Sequence, residues 1–165
     1  MIEIKPITGT INAIITVPGS KSYTNRALIT AALANGESTI TNALFSDDTK
    51  YMASGLNILG IPIEEQQDAS RFVVHGKGGI IPVNQANLFI GNAGTAMRFL
   101  TAMLTLGNGV YEIDGVIRMR QRPIQDLLDG LRQLGAGVVS KNNDGCPPVV
   151  IRGKGLSGGL AVVKG

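Results

Sequence analysis

One cysteine, Cys146, rules out an internal disulfide framework, and one histidine, His75, leaves too few ligands for a zinc site of the usual kind. Nothing therefore points to an oxidising compartment or to a metal. Tryptophan is absent, and three Tyr and four Phe are too few to build a base-stacking platform. The net charge is only +3, with acids and bases interspersed, so a dedicated nucleic-acid surface is not expected and small anionic ligands suit the mild excess better. Met1-Ile2-Glu3-Ile4-Lys5 is not a charged segment leading into an apolar one, and no later run is long and apolar enough to span a bilayer. A cytoplasmic protein is expected. No low-complexity segment or charge block marks a linker.

What the chain does have is small and aliphatic. Its 165 residues are 44% hydrophobic, enough for the core of one ordinary domain or a good part of a larger one. Glycine, at 22 residues, is about twice as frequent as its usual ~7%, which implies many tight turns and close backbone approaches.

Periodicity gives an ordered succession of elements. Ile11 to Val17 reads as a strand stopped by Pro18-Gly19, and Tyr23 to Ala34 as a helix closed by Asn35-Gly36. Ser38 to Asn42 reads as a short strand. Ser46-Asp47-Asp48 caps a helix with Met52, Leu56 and Leu59 on one face, and strands follow near Ile61 to Glu64 and Arg71 to His75. The order then returns: strand Asn87 to Ile90, turn Gly91 to Gly94, helix Ala96 to Leu106, strand Val110 to Ile113. A helix opened by Pro123 carries Leu127, Leu131 and Leu134, and strands near Val138 to Ser140 and Val149 to Ile151 complete the unit. Arg26-Ala27-Leu28 matches Arg98-Phe99-Leu100, Leu59-Gly60 matches Leu134-Gly135, and His75-Gly76-Lys77-Gly78 matches Arg152-Gly153-Lys154-Gly155, at offsets of 72, 75 and 77 residues. Three matches in one order indicate duplication of a βαβαββ unit, about 18–80 and 86–155, and an α/β fold whose helices share a core.

Three segments could carry chemistry. Pro18-Gly19-Ser20-Lys21-Ser22 runs from a strand end into a helix start, where free N–H groups and the positive dipole end receive anions, and Ser22, Lys21 and Arg26 add donors. Read alone, it is slightly better explained as a capped helix with solvated Lys21 and Arg26. Gly91-Asn92-Ala93-Gly94-Thr95-Ala96-Met97-Arg98 occupies the equivalent place in the second unit, with Thr95 expected to cap the helix; a sharp packing turn is the alternative. Arg118-Met119-Arg120-Gln121-Arg122-Pro123 sets Arg122 beside the amide end of the next helix, suited to a carboxylate or phosphate; the alternatives are a solvated turn, which composition alone favours, and a weak nucleic-acid patch.

Other features are set aside. Lys21 lacks the earlier glycine of a nucleotide P-loop, because Ile14 and Ile15 occupy that region. Gly153-Lys154-Gly155-Leu156-Ser157-Gly158 has dinucleotide-site spacing, but Gly159 to Val163 reads as a strand where a helix is required. His75, without a recognisable partner, and Cys146, in a Gly-Cys-Pro-Pro turn, read as structural. Asp47 and Asp48 read most simply as helix caps, the lesser alternative being that they line a cleft.

Pro18-Gly19-Ser20-Lys21-Ser22 with Asn25-Arg26, then Leu88 through Arg98, then Arg118-Met119 with Arg122-Pro123-Ile124, resemble in this order the N-terminal part of the 5-enolpyruvylshikimate-3-phosphate synthase family. The resemblance runs from about Ile4 to the last residue, while the family's chain is far longer. It implies transfer of the enolpyruvyl group of phosphoenolpyruvate to the 5-hydroxyl of shikimate 3-phosphate, with no metal or organic cofactor. By the same resemblance Lys21, Ser22 and Arg26 contact shikimate 3-phosphate, and Lys21, Gly94 and Arg122 contact phosphoenolpyruvate. Asn92, Thr95 and Arg98 lie in the same motif, and Lys21 is the residue expected to act in catalysis. The family has two domains of three α/β units each, so residues 1–17 are expected to belong to the other domain and 18–165 to supply two units of one.

The two ligands together carry roughly −5 to −6 of charge, against three cations in Lys21, Arg26 and Arg122. Further cations, and the C-terminal part of the enzyme, are expected partners, and the chain by itself is expected to be inactive. Phe99 stands where plant and enteric members of the family carry proline, which is expected to alter packing at that helix start, and a complete chain is expected to be sensitive to the family's inhibitor glyphosate. The neighbouring alternatives are an enolpyruvyl transferase acting on UDP-N-acetylglucosamine and a non-catalytic phosphate-binding domain.

Overall fold

Ser20 has extended backbone and its Oγ accepts a hydrogen bond from Tyr23 N–H, so the first helix, α1 (Lys21–Leu33), starts one residue later. It is followed by β1 (Asn35–Ile40), α2 (Asp47–Ile58), β2 (Ile63–Gln66) and β3 (Arg71–Lys77). The second run is β4 (Gln85–Phe89), α3 (Gly94–Leu104), β5 (Asn108–Asp114), α4 (Gln125–Gln133), β6 (Gly137–Ser140) and β7 (Val149–Lys154). The computed structural model describes residues 4 and 6–163.

The duplication is visible in the strand order. One sheet runs β1-β3-β2, all antiparallel; the other runs β4-β5-β7-β6, in which β5-β7-β6 repeats that order and β4 adds a parallel edge beside β5. Joining parallel β4 and β5 requires a crossover, which α3 provides. Gly76 in β3 and Gly153 in β7 also correspond physically. A Cβ at Gly76 would sit 2.3 Å from the carbonyl oxygens of Ala31 and Ala34 at the end of α1, and one at Gly153 would sit 2.6 Å from that of Leu104 at the end of α3. Each unit thus needs a residue without a side chain where its last strand meets its first helix.

Helices and sheets enclose one apolar core drawn from both units, with Leu28, Met52, Leu56, Phe72, Leu88, Met97, Leu100 and Leu128 all buried. Side chains of this size contribute about 1.5–3 kcal/mol each on burial. Tyr111 is fully buried; its hydroxyl donates to Val83 O at 2.8 Å, and burial pushes its pKa up.

Several sequence expectations are corrected. Ile11 to Val17 is not a strand: among the described residues no neighbouring strand pairs with it, and Ile11, Ile14, Ile15 and Val17 are exposed. The first unit is therefore αβαββ. Gly159 to Val163 also forms no strand; Val162 instead exchanges backbone hydrogen bonds with the Gln133 side chain at the end of α4. Strand β1 begins three residues before Ser38 because its ladder with β3 opens at the Asn35–Lys77 pair. Pro123 lies outside α4, which is entered through Ile124. Phe99 lies within α3 and not at its start. His75 has partners after all, with Nε2 2.9 Å from Glu64 Oε1 and Nδ1 3.8 Å from Glu37 Oε2 across the first sheet. Among the described residues no helix is long and apolar enough to cross a membrane.

Candidate functional site

The end of β4 is tied to the exit of β5. Ile90 N–H donates to Asp114 O, Val116 N–H donates to Gly91 O, and Ala93 N–H closes the turn on Ile90 O. Gly91, at φ 54°, makes the reversal that places Gly94 as the first residue of α3. The helix is entered through Ala93 and no side chain caps it, so Thr95 does not take the capping role expected of it. Its first N–H groups, which have no intrahelical acceptor, remain available to an anion at the positive end of the helix dipole.

Arg122 reaches that same end. The buried Met119 anchors a short 3₁₀ turn, Met119–Gln121, after which Arg122 is extended and its Nη1 donates to Asn92 O at 3.2 Å. The guanidinium lies over Gly94 so closely that a Cβ there would be 2.4 Å from Nη2. The amide end beside Arg122 is thus that of α3, across the turn, and not that of its own following helix. The other two arginines of the segment point elsewhere: Arg118 donates to Gln121 Oε1 and Arg120 pairs with Asp114. The hydrogen bond from Arg120 holds the Asp114 carboxyl below the usual carboxylate range, against the opposing effect of burial and aided by Gly115 N–H.

Lys21 arrives from the other unit, at the first residue of α1, and its Nζ donates to Asp48 Oδ1 at 3.1 Å. Asp47 and Asp48 form the first turn of α2, where the dipole favours them, with Tyr51 one turn on. Lys21, Asp48, Tyr51, Asn92, Gly94 and Arg122 line a single cavity of about 520 Å³, along with Asp47 and Thr95. A smaller hollow of about 210 Å³, lined by Arg26, Arg98 and Phe99, shares Gly94, Thr95 and Arg122 with it. Arg26 stacks over the Phe99 ring at 5.4 Å.

Of the residues singled out from sequence, Lys21, Asn92, Gly94, Thr95 and Arg122 share the larger cavity and Arg26 and Arg98 the adjoining hollow. Ser22 lines neither; exposed on α1, its Oγ accepts from Arg26. Arg98 is committed to backbone, donating to Pro123 O at 3.0 Å and Gly94 O at 3.4 Å, which braces α3 against the Arg122 segment. In the α2 wall, Asp47 and Asp48 take the cleft-lining alternative to a purely capping role, whereas Tyr51 has no sequence signal of its own. Among the described residues no three His, Cys, Asp or Glu side chains converge as a metal-ligand group.

Residues 5–164 match the family model for EPSP synthase (3-phosphoshikimate 1-carboxyvinyltransferase). The chain is 49% identical over 158 residues to a 3-phosphoshikimate 1-carboxyvinyltransferase of Nostoc sp., covering 96% of this chain and 37% of that one. It is also 49% identical over 170 residues to the chloroplastic enzyme of that name from Petunia hybrida, covering 98% of this chain and 32% of the relative. The chain therefore spans about a third of the length of these relatives. Among solved structures, the EPSP synthase from Acinetobacter baumannii matches with a TM-score of 0.79 and 30% identity, over 85% of this chain and 32% of that one. The α/β fold, the duplicated units and the match over nearly the whole chain agree, and this protein belongs to the EPSP synthase family.

Proposed function

We propose that this chain supplies part of the active site of an enzyme that transfers the enolpyruvyl group of phosphoenolpyruvate to the 5-hydroxyl of shikimate 3-phosphate, releasing phosphate. The observation that carries the reading is the convergence of Lys21, Gly94 and Arg122, from two repeat units, on one cavity. In this reading phosphoenolpyruvate lies against the uncapped start of α3, where Arg122 and the N–H groups neutralise its charge without side-chain rearrangement. The wall shared with the Arg26 hollow supports a second phosphate ester alongside, held from Arg26, while Lys21 reaches the ligands from the larger cavity; the part assigned to Ser22 rests on the family resemblance alone, since it lines neither space. Holding both reactants against each other is the chain's contribution to rate.

The addition and elimination steps need proton transfer and more positive charge than Lys21, Arg26 and Arg122 supply, so both are assigned to the C-terminal part that the relatives have. The opening segment to about Val17 is assigned to the other domain, which accounts for its unpaired apolar residues. No cofactor enters this scheme, and a cytoplasmic setting suits both ligands.

The test is phosphate release from the two purified substrates by this chain completed with the C-terminal part of the Nostoc sp. relative. Turnover that Lys21→Ala abolishes is expected, with no measurable turnover from the 165-residue chain by itself. Unchanged turnover in the Lys21→Ala variant would refute the assignment. Titration with shikimate 3-phosphate against UDP-N-acetylglucosamine separates the two enolpyruvyl acceptors.

A further inference from the structure

Tyr51 is the largest side chain lining the cavity and has no part in the scheme above. It projects from α2, and its ring makes an edge contact with Phe89 at 6.1 Å between centroids. The same ring covers Gly91: a Cβ there would lie 2.3 Å from Cε2 and 2.5 Å from Cζ. The phenol ring thus occupies the space where a side chain at position 91 would stand. Gly91 is the left-handed residue of the turn, and the next residue, Asn92, presents the carbonyl to which Arg122 Nη1 donates at 3.2 Å. A chain of contacts runs from α2 through Gly91 to the Asn92 carbonyl and on to the guanidinium.

We infer that Tyr51 is a positioning residue: its ring clamps the Gly91 turn and thereby fixes the carbonyl that aims Arg122 at the start of α3. Among the residues lining the cavity, Tyr51 and Val116 carry the apolar side chains larger than alanine. Backbone bonds hold the turn from below, through Val116 N–H to Gly91 O and Ala93 N–H to Ile90 O. Without the ring the turn keeps those bonds and loses its cover. A peptide plane that tilts there carries the Asn92 oxygen and Arg122 with it. The inference rests on the reading of this cavity as the phosphoenolpyruvate site.

The experiment uses the completed chain, with phosphoenolpyruvate as the varied ligand at saturating shikimate 3-phosphate. Displacing a positioned charge by about 1 Å costs as much as a hundredfold, so Tyr51→Ala is expected to raise the KM for phosphoenolpyruvate by roughly tenfold to a hundredfold. The KM for shikimate 3-phosphate should move much less. Tyr51→Phe, which keeps the ring, should stay within about twofold of the parent. Adding Tyr51→Ala to Arg122→Ala should cost nothing beyond Arg122→Ala alone, because the two act through one group. Tyr51→Leu, which keeps apolar bulk on α2 without the planar cover, should raise the KM for phosphoenolpyruvate in the same direction, which keeps the inference testable if Tyr51→Ala does not fold. A loss in Tyr51→Phe equal to that in Tyr51→Ala would overturn the inference, because the hydroxyl and not the ring would then be at work. Full additivity with Arg122→Ala would overturn it as well. If Arg122→Ala weakens phosphoenolpyruvate binding while Tyr51→Ala and Tyr51→Leu do not, the positioning role alone fails; if Arg122→Ala has no effect, the reading of the cavity fails with it.

Discussion

Substituting Gly94 by alanine perturbs the site at its narrowest point. The added methyl would lie 2.4 Å from Arg122 Nη2 and 2.6 Å from both Cζ and Nη1, where ordinary contacts begin at 3.4 Å. The guanidinium must therefore withdraw by about 1 Å, a displacement that costs a positioned group up to about a hundredfold, or about 2.7 kcal/mol. Because the three atoms nearest the methyl all belong to the far end of a flexible side chain, the fold should be untouched. In the completed chain, Gly94→Ala is expected to raise the KM for phosphoenolpyruvate by one to two orders of magnitude, with Tm and the KM for shikimate 3-phosphate close to the parent values. Steady-state phosphate release and a thermal melt measure both sides of the claim. An unchanged KM for phosphoenolpyruvate would refute it, and so would a melt that falls with the KM, because the damage would then be to folding.

Asp114 has its pKa lowered chiefly by the hydrogen bond from Arg120, so its pairing stabilises the fold above the ordinary carboxylate pKa of about 4 and is lost as pH falls through the depressed native value. Asp114→Asn should flatten that acid limb in denaturant titrations between pH 5 and pH 2; an unaltered limb would contradict the assignment. Leu100 is fully buried on α3, and Leu100→Ala should cost about 2–5 kcal/mol, read as a drop in the urea midpoint. A negligible shift would show that the second unit packs differently. Asp48 places a negative charge beside Lys21 in a cavity assigned to anions, and removing a charge ~6 Å from the ligand is worth about 0.7 kcal/mol in a water-like medium. Asp48→Asn should therefore tighten inorganic phosphate binding roughly threefold by calorimetry, and weaker binding would count against the charge argument.

The elements were legible where local chemistry decides them. Ser20 and Ser46 cap the helices they precede, and Gly60 and Gly135 follow α2 and α4 in the left-handed region. The duplication was legible in paired motifs, and the close approaches of Gly76 and Gly153 to helix ends give one of those motifs its physical reason. Ile11 to Val17 misled because alternating apolar residues specify a strand only when another strand stands beside them. Longer-range features were hidden for the same reason. Nothing near Arg122 in sequence shows that it bonds to Asn92, thirty residues earlier, and nothing near Lys21 points to Asp48, twenty-seven residues later. Tyr51 was invisible because its role follows from the missing side chain of Gly91, on a different element. Arg98 shows the converse: it sits in the motif, yet the carbonyls of Gly94 and Pro123 take up its guanidinium.

The most direct test is a titration of the isotopically labelled completed chain with phosphoenolpyruvate in the presence of shikimate 3-phosphate, following the backbone amides of residues 92–96 together with the side-chain signals of Lys21 and Arg122. One binding curve, with a single Kd, is expected for all of them. Lys21 moving with one affinity and the Gly94 and Arg122 signals with another, or not at all, would show that two repeat units do not build one anion site.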